Sequence, residues 1–264
     1  MYKKWLIVAG ILIVIGFSGA LLTAKSFFSL QNENDKQTKQ FQSSEIQSID
    51  VNNTVGTIKL AETSEDEIIV ETIGSKMSNS IIVEEKGGTL SITNEADHAI
   101  SLGVNFKKSS ENITVYLPRK QYDRISASNE VGEITISQID TAHLNAESEV
   151  GSIHISDVSS TSMIASSELG NITVQKYSGK LQVDNEVGSI DISTDEITEP
   201  LIAKNELGEI DLTINQDPKN ILISADSEIG SKRIFGKKTG SYMSGDGSIT
   251  VQLSTDTGSI RVTD

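Results

Sequence analysis

Hydrophobic and polar residues alternate along most of the chain, in short arms on either side of a repeated glycine. The clearest copy is Asn129–Ile136, which reads Asn-Glu-Val-Gly-Glu-Ile-Thr-Ile, and further copies stand at 148–155, 167–174, 185–192 and 205–212. In each copy, apolar residues occupy the positions seven, five and one before the glycine and two and four after it. This period of two, in arms rich in Val, Ile and Thr, predicts short β-strands.

The spacing of the repeat predicts how these strands are arranged. Gly132, Gly151, Gly170, Gly188 and Gly208 are separated by 19, 19, 18 and 20 residues. Such a period is typical of stacked units, each too small to bury its apolar face alone. We therefore predict an all-β fold, a β-solenoid of about 19-residue coils. A sandwich or barrel is the alternative, because short strands between frequent turns suit those folds too.

The repeated glycine is predicted to form a corner. The alternation changes phase between the residue before the glycine and the second residue after it, which indicates a corner or bulge. Glycine tolerates a positive φ there, so its role is predicted to be structural and not catalytic. The corner glycines are Gly56, Gly132, Gly151, Gly170, Gly188, Gly208 and Gly230.

The N-terminal part of the chain predicts a membrane anchor. Residues 5–24 are apolar or small except for Ser18 and Thr23, which is long enough for a helix to cross a hydrocarbon core. Lys3 and Lys4 precede this segment, so residues 1–4 are predicted in the cytoplasm and the C-terminal domain outside, in a single-pass protein of the cell membrane. A cleaved signal peptide is the alternative, because 18–20 offers small residues for cleavage, but the apolar run continues beyond them.

Beyond the anchor, composition predicts a polar linker at 25–40 and two β-rich segments. Segment 41–118 contains an early copy of the repeat at 49–60, in which Thr54 replaces the glutamate, and then short strands with a hairpin turn at 86–89. We interpret it as an N-terminal β-subdomain that caps the solenoid repeats of 119–264. The closely spaced endings 247–251 and 258–262 are interpreted as a C-terminal cap.

Composition limits the chemistry. The chain has no cysteine, which excludes disulfides, thiol nucleophiles and cysteine-bound metals. His98, His143 and His154 are scattered without metal-site spacing, and no cofactor is predicted. The net charge of −15 disfavours nucleic acid as a partner, and also close approach to anionic lipid or polymer.

A glutamate stands two positions before most of the repeated glycines. In a solenoid these carboxylates would stack into an outward charged ridge, which keeps a repetitive β-structure soluble. The sharper alternative is weak binding of divalent cations, on the order of millimolar, because the dense loop of a dedicated calcium site is missing. The residues concerned are Glu130, Glu149, Glu168, Glu186, Glu206 and Glu228.

An enzymatic role is the less favoured interpretation. Some solenoids bind or cleave polysaccharides, and Asp191 and Asp211 occupy equivalent outward positions that could supply an acid and a base. Aromatic residues, which form platforms for sugars, make up only 5% of the chain. The polar residues at this position are otherwise dispersed, which favours a non-enzymatic protein.

One stretch resembles a known family. Ile113, Val115, Leu117 and Pro118 form an I-x-V-x-L-P strand that leads into repeated G-x-I-x-I/V units. This pattern is similar to the LiaG-like candidate adhesins over roughly residues 41–264. The resemblance implies a membrane-anchored β-solenoid at the envelope of a Gram-positive bacterium, in some members encoded beside an envelope-stress system. We therefore expect an interaction or scaffold protein whose partner is an envelope protein or a wall polymer.

Overall fold

Lys36–Asp264 forms one compact unit. The computed structural model describes residues 34–75, 81–94 and 110–264. Apart from a single 3-10 turn at Ser43–Glu45, the regular structure in these residues is β-strand. The strands are β1 (Asn34–Gln42), β2 (Ser48–Val55), β3 (Ile58–Thr63), β4 (Glu67–Ser75), β5 (Ile81–Lys86), β6 (Thr89–Asn94), β7 (Asn112–Pro118), β8 (Gln121–Val131), β9 (Ile134–Val150), β10 (Ile153–Leu169), β11 (Ile172–Val187), β12 (Ile190–Thr194), β13 (Leu201–Leu207), β14 (Ile210–Ile214), β15 (Ile221–Ile229), β16 (Lys232–Ile234), β17 (Ser241–Ser244), β18 (Ile249–Thr257) and β19 (Ile260–Thr263).

The predicted anchor at 5–24 lies outside the described residues. In the part of the chain that the structure describes, no helix is long and apolar enough to span a membrane.

Successive repeats stack as parallel strands in register, which confirms the all-β solenoid. Ile134 of β9 pairs with Ile153 of β10, and Ile153 pairs with Ile172 of β11. Because the register equals the sequence period, each side chain lies over its equivalent in the next coil. Like residues therefore stack on like through β9, β10 and β11.

The core is built from four inward rows, at seven and five positions before the glycine and two and four after it. In the coil with Gly132 these are Ile125, Ala127, Ile134 and Ile136, all 0% exposed. Burial of an isoleucine contributes about 1.5–3 kcal/mol. The other glycine-containing coils repeat these four positions, except that Lys232 stands two positions after Gly230, so the core continues from coil to coil.

The residue immediately before the glycine does not point inward, which corrects the interpretation of the apolar pattern. Val131, Val150, Leu169, Val187 and Leu207 are 39–50% exposed. The inward position is instead three before the glycine, where Asn129 is 1% exposed. The inward alternation therefore continues to this polar residue, and the chain turns outward after it.

At the N-terminal end of the sequence, the order of coils in space differs from their order along the chain. Strand β2 pairs with β6 on one side and β8 on the other, and β3 lies in the same way between β7 and β9. The coil 48–61 is thus inside the stack and shares its core with the coil 124–137. Segment 41–118, interpreted from sequence as a capping subdomain, contributes to the same continuous solenoid.

The C-terminal end has a similar insertion. Strand β18 pairs with β13 on one side and with β15 on the other, and β19 lies between β14 and β16. The coil 249–263 is therefore the penultimate coil, and 221–234 is the last. The interpretation of 258–262 as a cap was wrong, because the chain passes to the end of the stack and then folds back into it.

Antiparallel strands cover part of both ends. Strand β5 pairs with β6 through the predicted hairpin turn, where Gly87 and Gly88 have φ of 60° and 78°, which confirms that turn. Strand β4 pairs with β7, and β17 pairs with the start of β15. These strands use backbone groups that an open solenoid end would leave unpaired.

Candidate functional site

Eight glycines form a column along one corner of the solenoid. Each lies so close to the previous one that a Cβ on Gly132 would stand 2.8 Å from the carbonyl carbon of Gly56, and a Cβ on Gly188 would stand 2.7 Å from that of Gly170. Real side chains do not tolerate such a contact with backbone. Close approach of neighbouring coils therefore requires glycine here. In stack order the column is Gly56, Gly132, Gly151, Gly170, Gly188, Gly208, Gly258 and Gly230.

The column includes the predicted corner glycines and adds Gly258. The predicted positive φ holds at most of them, for example 137° at Gly132 and 138° at Gly188. At Gly170 the φ of 159° lies at the edge of the positive range, and Gly230 is not among the positive-φ glycines of the described chain. At these two positions the close backbone contact requires glycine, whatever the value of φ.

A row of buried polar side chains satisfies the carbonyl oxygens of this column. Asn129 Nδ2 donates to Gly56 O at 2.8 Å, and Asn205 Nδ2 donates to Gly188 O at 2.7 Å. Serine and threonine do the same in other coils, as in the bond from Ser227 Oγ to Gly258 O at 2.9 Å. These side chains occupy the position three before the glycine and link their coils to the corner of the neighbouring coil, except Ser148, whose Oγ has no hydrogen-bond partner among the described residues.

An elongated groove of about 680 Å³ lies over this polar row. We call it the acidic groove. Its floor is Asn129, Ser148, Ser167, Asn185 and Asn205, and its walls are the residues four and two positions before each glycine. One wall is Ser128, Glu147, Ser166, Asp184, Lys204 and Ser254. The other, the glutamate ridge, is Glu130, Glu149, Glu168, Glu186, Glu206 and Asp256.

The acidic groove concentrates negative charge. Its lining carries eight carboxylates and one ammonium group, that of Lys204. No described residue forms a hydrogen bond or ion pair with the carboxylates of the glutamate ridge, and Lys204 is likewise unpaired within the described chain. In the opposite wall, Asn145 donates to Glu147 at 2.8 Å and Gln182 donates to Asp184 at 2.7 Å. The ridge therefore faces solvent with its charges uncompensated.

Beside the glutamate ridge runs a continuous apolar row. It consists of the residue immediately before each glycine in five successive coils, and the register pairs each member with the next. The members are Val131, Val150, Leu169, Val187 and Leu207. Scattered exposed apolar residues need no explanation, but a contiguous strip of them is typical of an interaction surface.

The structure brings together five of the six predicted glutamates and separates the sixth. Glu130, Glu149, Glu168, Glu186 and Glu206 lie in consecutive coils, whereas Asp256 stands between Glu206 and Glu228 because of the inserted coil. In the described residues, no three His, Cys, Asp or Glu side chains converge closely enough to hold a metal ion. The divalent-cation hypothesis thus concerns bridging between neighbouring coils and not a chelating site.

Asp191 and Asp211, the candidate acid and base, are in register on neighbouring strands β12 and β14. Asp211 Oδ1 lies 3.2 Å from the Arg261 guanidinium, and Ser189 donates to Asp191 at 3.3 Å. Burial raises the pKa of Asp211, and Arg261 opposes this effect. Arg261 belongs to the inserted coil, so this ion pair joins β14 to β19.

A second cavity, of about 550 Å³, lies near the start of the repeats and carries charges of both signs. Lys120 donates to the carbonyl oxygens of Ser43 and Ile46 and stands 4.8 Å from the ring centroid of Tyr122. Burial lowers the pKa of Lys120, and burial raises the pKa of Tyr122 to about 12. Since Lys120 already serves two carbonyls, its role here is to fasten the 3-10 turn to the stack.

Of the three histidines, His98 lies outside the described residues. His143 is exposed, and His154 Nε2 is 3.8 Å from Glu133 on the neighbouring coil. Neither contacts a candidate nucleophile.

The sequence interpretation missed both the polar floor and the exposure of the apolar row. The signal for the floor was present, because Asn or Ser recurs three positions before the predicted glycines. A polar residue that recurs at the same position in every repeat indicates a buried row of hydrogen-bonded side chains as readily as it indicates a face exposed to solvent.

A comparison with known protein families identifies the family of this chain. A family model described as Toastrack DUF4097 matches residues 46–175 and 128–263, which together span most of the chain. The chain belongs to the Toastrack DUF4097 family. Comparison with curated proteins gives no significant match.

Solved structures similar to this Toastrack chain include two bacterial proteins. A candidate cell adhesion protein from Clostridium sporogenes is 17% identical, with a TM-score of 0.47 over 88% of this chain and 99% of that one. A candidate adhesin from Bacteroides fragilis is 18% identical, with a TM-score of 0.49 over 86% of this chain and 97% of that one.

Proposed function

We propose that this Toastrack protein is a non-enzymatic interaction or scaffold protein of the bacterial cell envelope, held outside the membrane by its N-terminal segment. The acidic groove and the apolar row beside it are its interaction surface. A place among the LiaG-like members, and a role in envelope stress, are part of this proposal and are based on the sequence resemblance.

The observation that carries the proposal is the continuity of one surface over many coils. Floor, ridge and apolar row each repeat in register from β8 to β13. An enzyme site needs a few different groups that converge on one point. A surface that repeats the same groups along an axis instead suits an elongated partner, which it contacts at many equivalent positions.

The first test asks where the domain resides. Because the chain has no cysteine, a single one introduced at exposed Lys237 is the unique target for a membrane-impermeant maleimide. We expect the Lys237→Cys protein to be labelled in intact cells, and Tyr2→Cys only after permeabilisation. Labelling of Lys237→Cys only in permeabilised cells would contradict the extracytoplasmic location.

The second test asks which face meets a partner. A photo-crosslinking amino acid at Ser166, in the wall of the acidic groove, is compared with one at exposed Glu65. We expect Ser166 in living cells to give discrete adducts that Glu65 does not give. Equal adducts from both positions, or none from Ser166, would contradict the assignment of the interaction surface.

A further inference from the structure

We propose that the acidic groove and the apolar row bind a basic amphipathic polypeptide helix, laid along the solenoid axis. This inference rests on the proposed function, and it names the chemical class of the partner.

The negative charge of the groove predicts a positively charged ligand. Eight carboxylates face one ammonium, and the ridge carboxylates have no partner among the described residues. Neighbouring coils are about 4.8 Å apart, so these like charges raise one another's energy until a cation approaches. The same field repels anionic polymers, nucleic acid and a second copy of this chain, whose net charge is −15.

The floor of the groove is polar. The Oδ1 atoms of Asn129, Asn185 and Asn205 and the Oγ of Ser148 are buried and accept no hydrogen bond from any described residue. These four residues line the groove and are at most 5% exposed. A polar floor between acidic walls favours a cationic side chain over an apolar one in the groove itself.

A polypeptide cation fits this arrangement better than a chelated metal ion. The described acidic residues form no cluster of three around one point. Their carboxylates instead follow a line, with one ridge position in each coil. A polypeptide with cationic side chains at regular intervals could pair one of them with the ridge carboxylate of each coil.

The apolar row determines the form of the polypeptide. It lies directly beside the ridge, so the partner needs an apolar stripe next to a basic one. An α-helix repeats a stripe every 5.4 Å, close to the coil spacing of about 4.8 Å. An extended strand repeats one face only every 6.6 Å or so. The ridge from Glu130 to Asp256 covers five coil steps, roughly 24 Å, which corresponds to a helix of about 16 residues.

The test measures binding of a synthetic peptide of about 18 residues, composed of leucine and lysine with one leucine stripe at helical spacing. Fluorescence anisotropy is recorded with the full chain in a nonionic detergent. Comparisons between variants use the same detergent, so partition of the peptide into micelles cancels. For the comparison between the two peptides, the partition of each is measured without protein and subtracted. The control peptide has the same composition in an order without a stripe.

Four variants separate the contributions. The ridge variant, Glu149→Gln/Glu168→Gln/Glu186→Gln, should weaken binding about tenfold. Its matched control, Glu65→Gln/Asp66→Asn/Glu199→Gln, removes three exposed carboxylates outside the groove and should leave the Kd unchanged. Replacing the apolar row by Val150→Thr/Leu169→Thr/Val187→Thr should also weaken binding. Lys204→Gln, which removes the one cation of the groove, should tighten binding about two- to threefold.

The tighter binding predicted for Lys204→Gln cannot result from misfolding, because damage to the fold would not increase affinity. Equal binding of the striped and stripeless peptides would overturn the helix proposal in favour of charge alone. An unchanged Kd for the ridge variant, or equal losses in the ridge variant and its matched control, would overturn the site. If the peptide fails to bind while Ser166 still gives adducts in cells, the interaction surface remains and only this partner class is wrong.

Discussion

Alanine at Gly170 is predicted to cost much stability, although it adds a single methyl group. Gly170 is in the middle of the stack, and its φ of 159° lies at the edge of the positive-φ range, where backbone strain adds to the cost of a side chain. The obstacle is the neighbouring coil. A Cβ would stand 2.5 Å from the carbonyl carbon of Gly151 and closer still to its oxygen. Both atoms belong to backbone, which cannot move aside as a flexible side chain can.

The structure gives the size of the effect. The two coils must separate by roughly 1 Å at the corner, which takes hydrogen bonds near 2.9 Å out of bonding range. Three bonds lie there: Gly151 N–H to Leu169 O at 2.8 Å, Ile153 N–H to Asn171 O at 2.9 Å, and Ser167 Oγ to Gly151 O at 3.2 Å. At about 0.5–1.5 kcal/mol each, their loss predicts a decrease of about 2–4 kcal/mol in the free energy of unfolding.

Urea unfolding followed by far-UV circular dichroism measures this free energy. The matched control is Gly236→Ala, since Gly236 has φ of 73° but nothing within 4 Å of the added Cβ. We expect this control to lose only about 1 kcal/mol, from its left-handed backbone. If Gly170→Ala is no less stable than Gly236→Ala, the close contact between the coils is not what requires glycine.

Three further predictions follow from particular side chains. Tyr177 Oη is buried without a hydrogen-bond partner in the described chain, whereas Tyr122 Oη donates to Pro118 O at 3.1 Å. Thermal melts should therefore show that Tyr177→Phe stabilises the fold by about 1 kcal/mol and that Tyr122→Phe destabilises it by a similar amount. Burial raises the pKa of Asp211 in the folded state, so its ionised form costs stability at neutral pH, and this cost disappears as the pH falls through the folded pKa. The Asp211→Asn variant should be at least as stable as the wild type at pH 7 and should lose any advantage in stability at acidic pH. An advantage that grows as the pH falls would contradict the raised pKa of Asp211. If divalent cations bridge the glutamate ridge, millimolar Ca²⁺ should raise the melting temperature of the wild type but not of the ridge variant, and equal stabilisation of both would exclude the ridge as the site.

The period and the alternation were enough to predict the stacked β-fold. Strand character followed from alternation in arms such as Leu181–Val187, and stacking followed from the recurrence of glycine about every 19 residues. These signals are local, and each copy of the repeat carries them. Burial of Ile134, Ile153 and Ile172 in one row is the direct consequence.

The order of the coils could not be predicted, because the repeats resemble one another. The coils that contain Gly258 and Gly230 both have apolar residues seven and five positions before the glycine and four after it, so either could pair with the coil of Gly208. Contacts between distant parts of the chain decide the order. One of them is the ion pair between Arg261 and Asp211, at 3.2 Å.

The candidate site was predicted only in part, for a reason that concerns side-chain direction. The glutamates were recognised, but Val131 and its equivalents were assigned to the core because they are apolar. The alternation of apolar and polar residues does not show whether the residue just before the glycine points into the core or out to solvent. Asn129 shows it in the structure, since its amide reaches Gly56 O and places the next residues outside.

The inserted coil extends the glutamate ridge by Asp256. Disulfide formation tests that insertion most directly. Thr257 is in register with both Leu207 and Ile229, which are therefore two coil steps apart. Neighbouring coils are about 4.8 Å apart, within the range for a disulfide, whereas two steps, roughly 10 Å, exceed it. In this cysteine-free chain, we predict that Leu207→Cys/Thr257→Cys and Thr257→Cys/Ile229→Cys crosslink under mild oxidation, and that Leu207→Cys/Ile229→Cys does not. Rapid crosslinking of Leu207→Cys/Ile229→Cys, with none between Leu207→Cys and Thr257→Cys, would show that the coils stack in sequence order and would contradict the account.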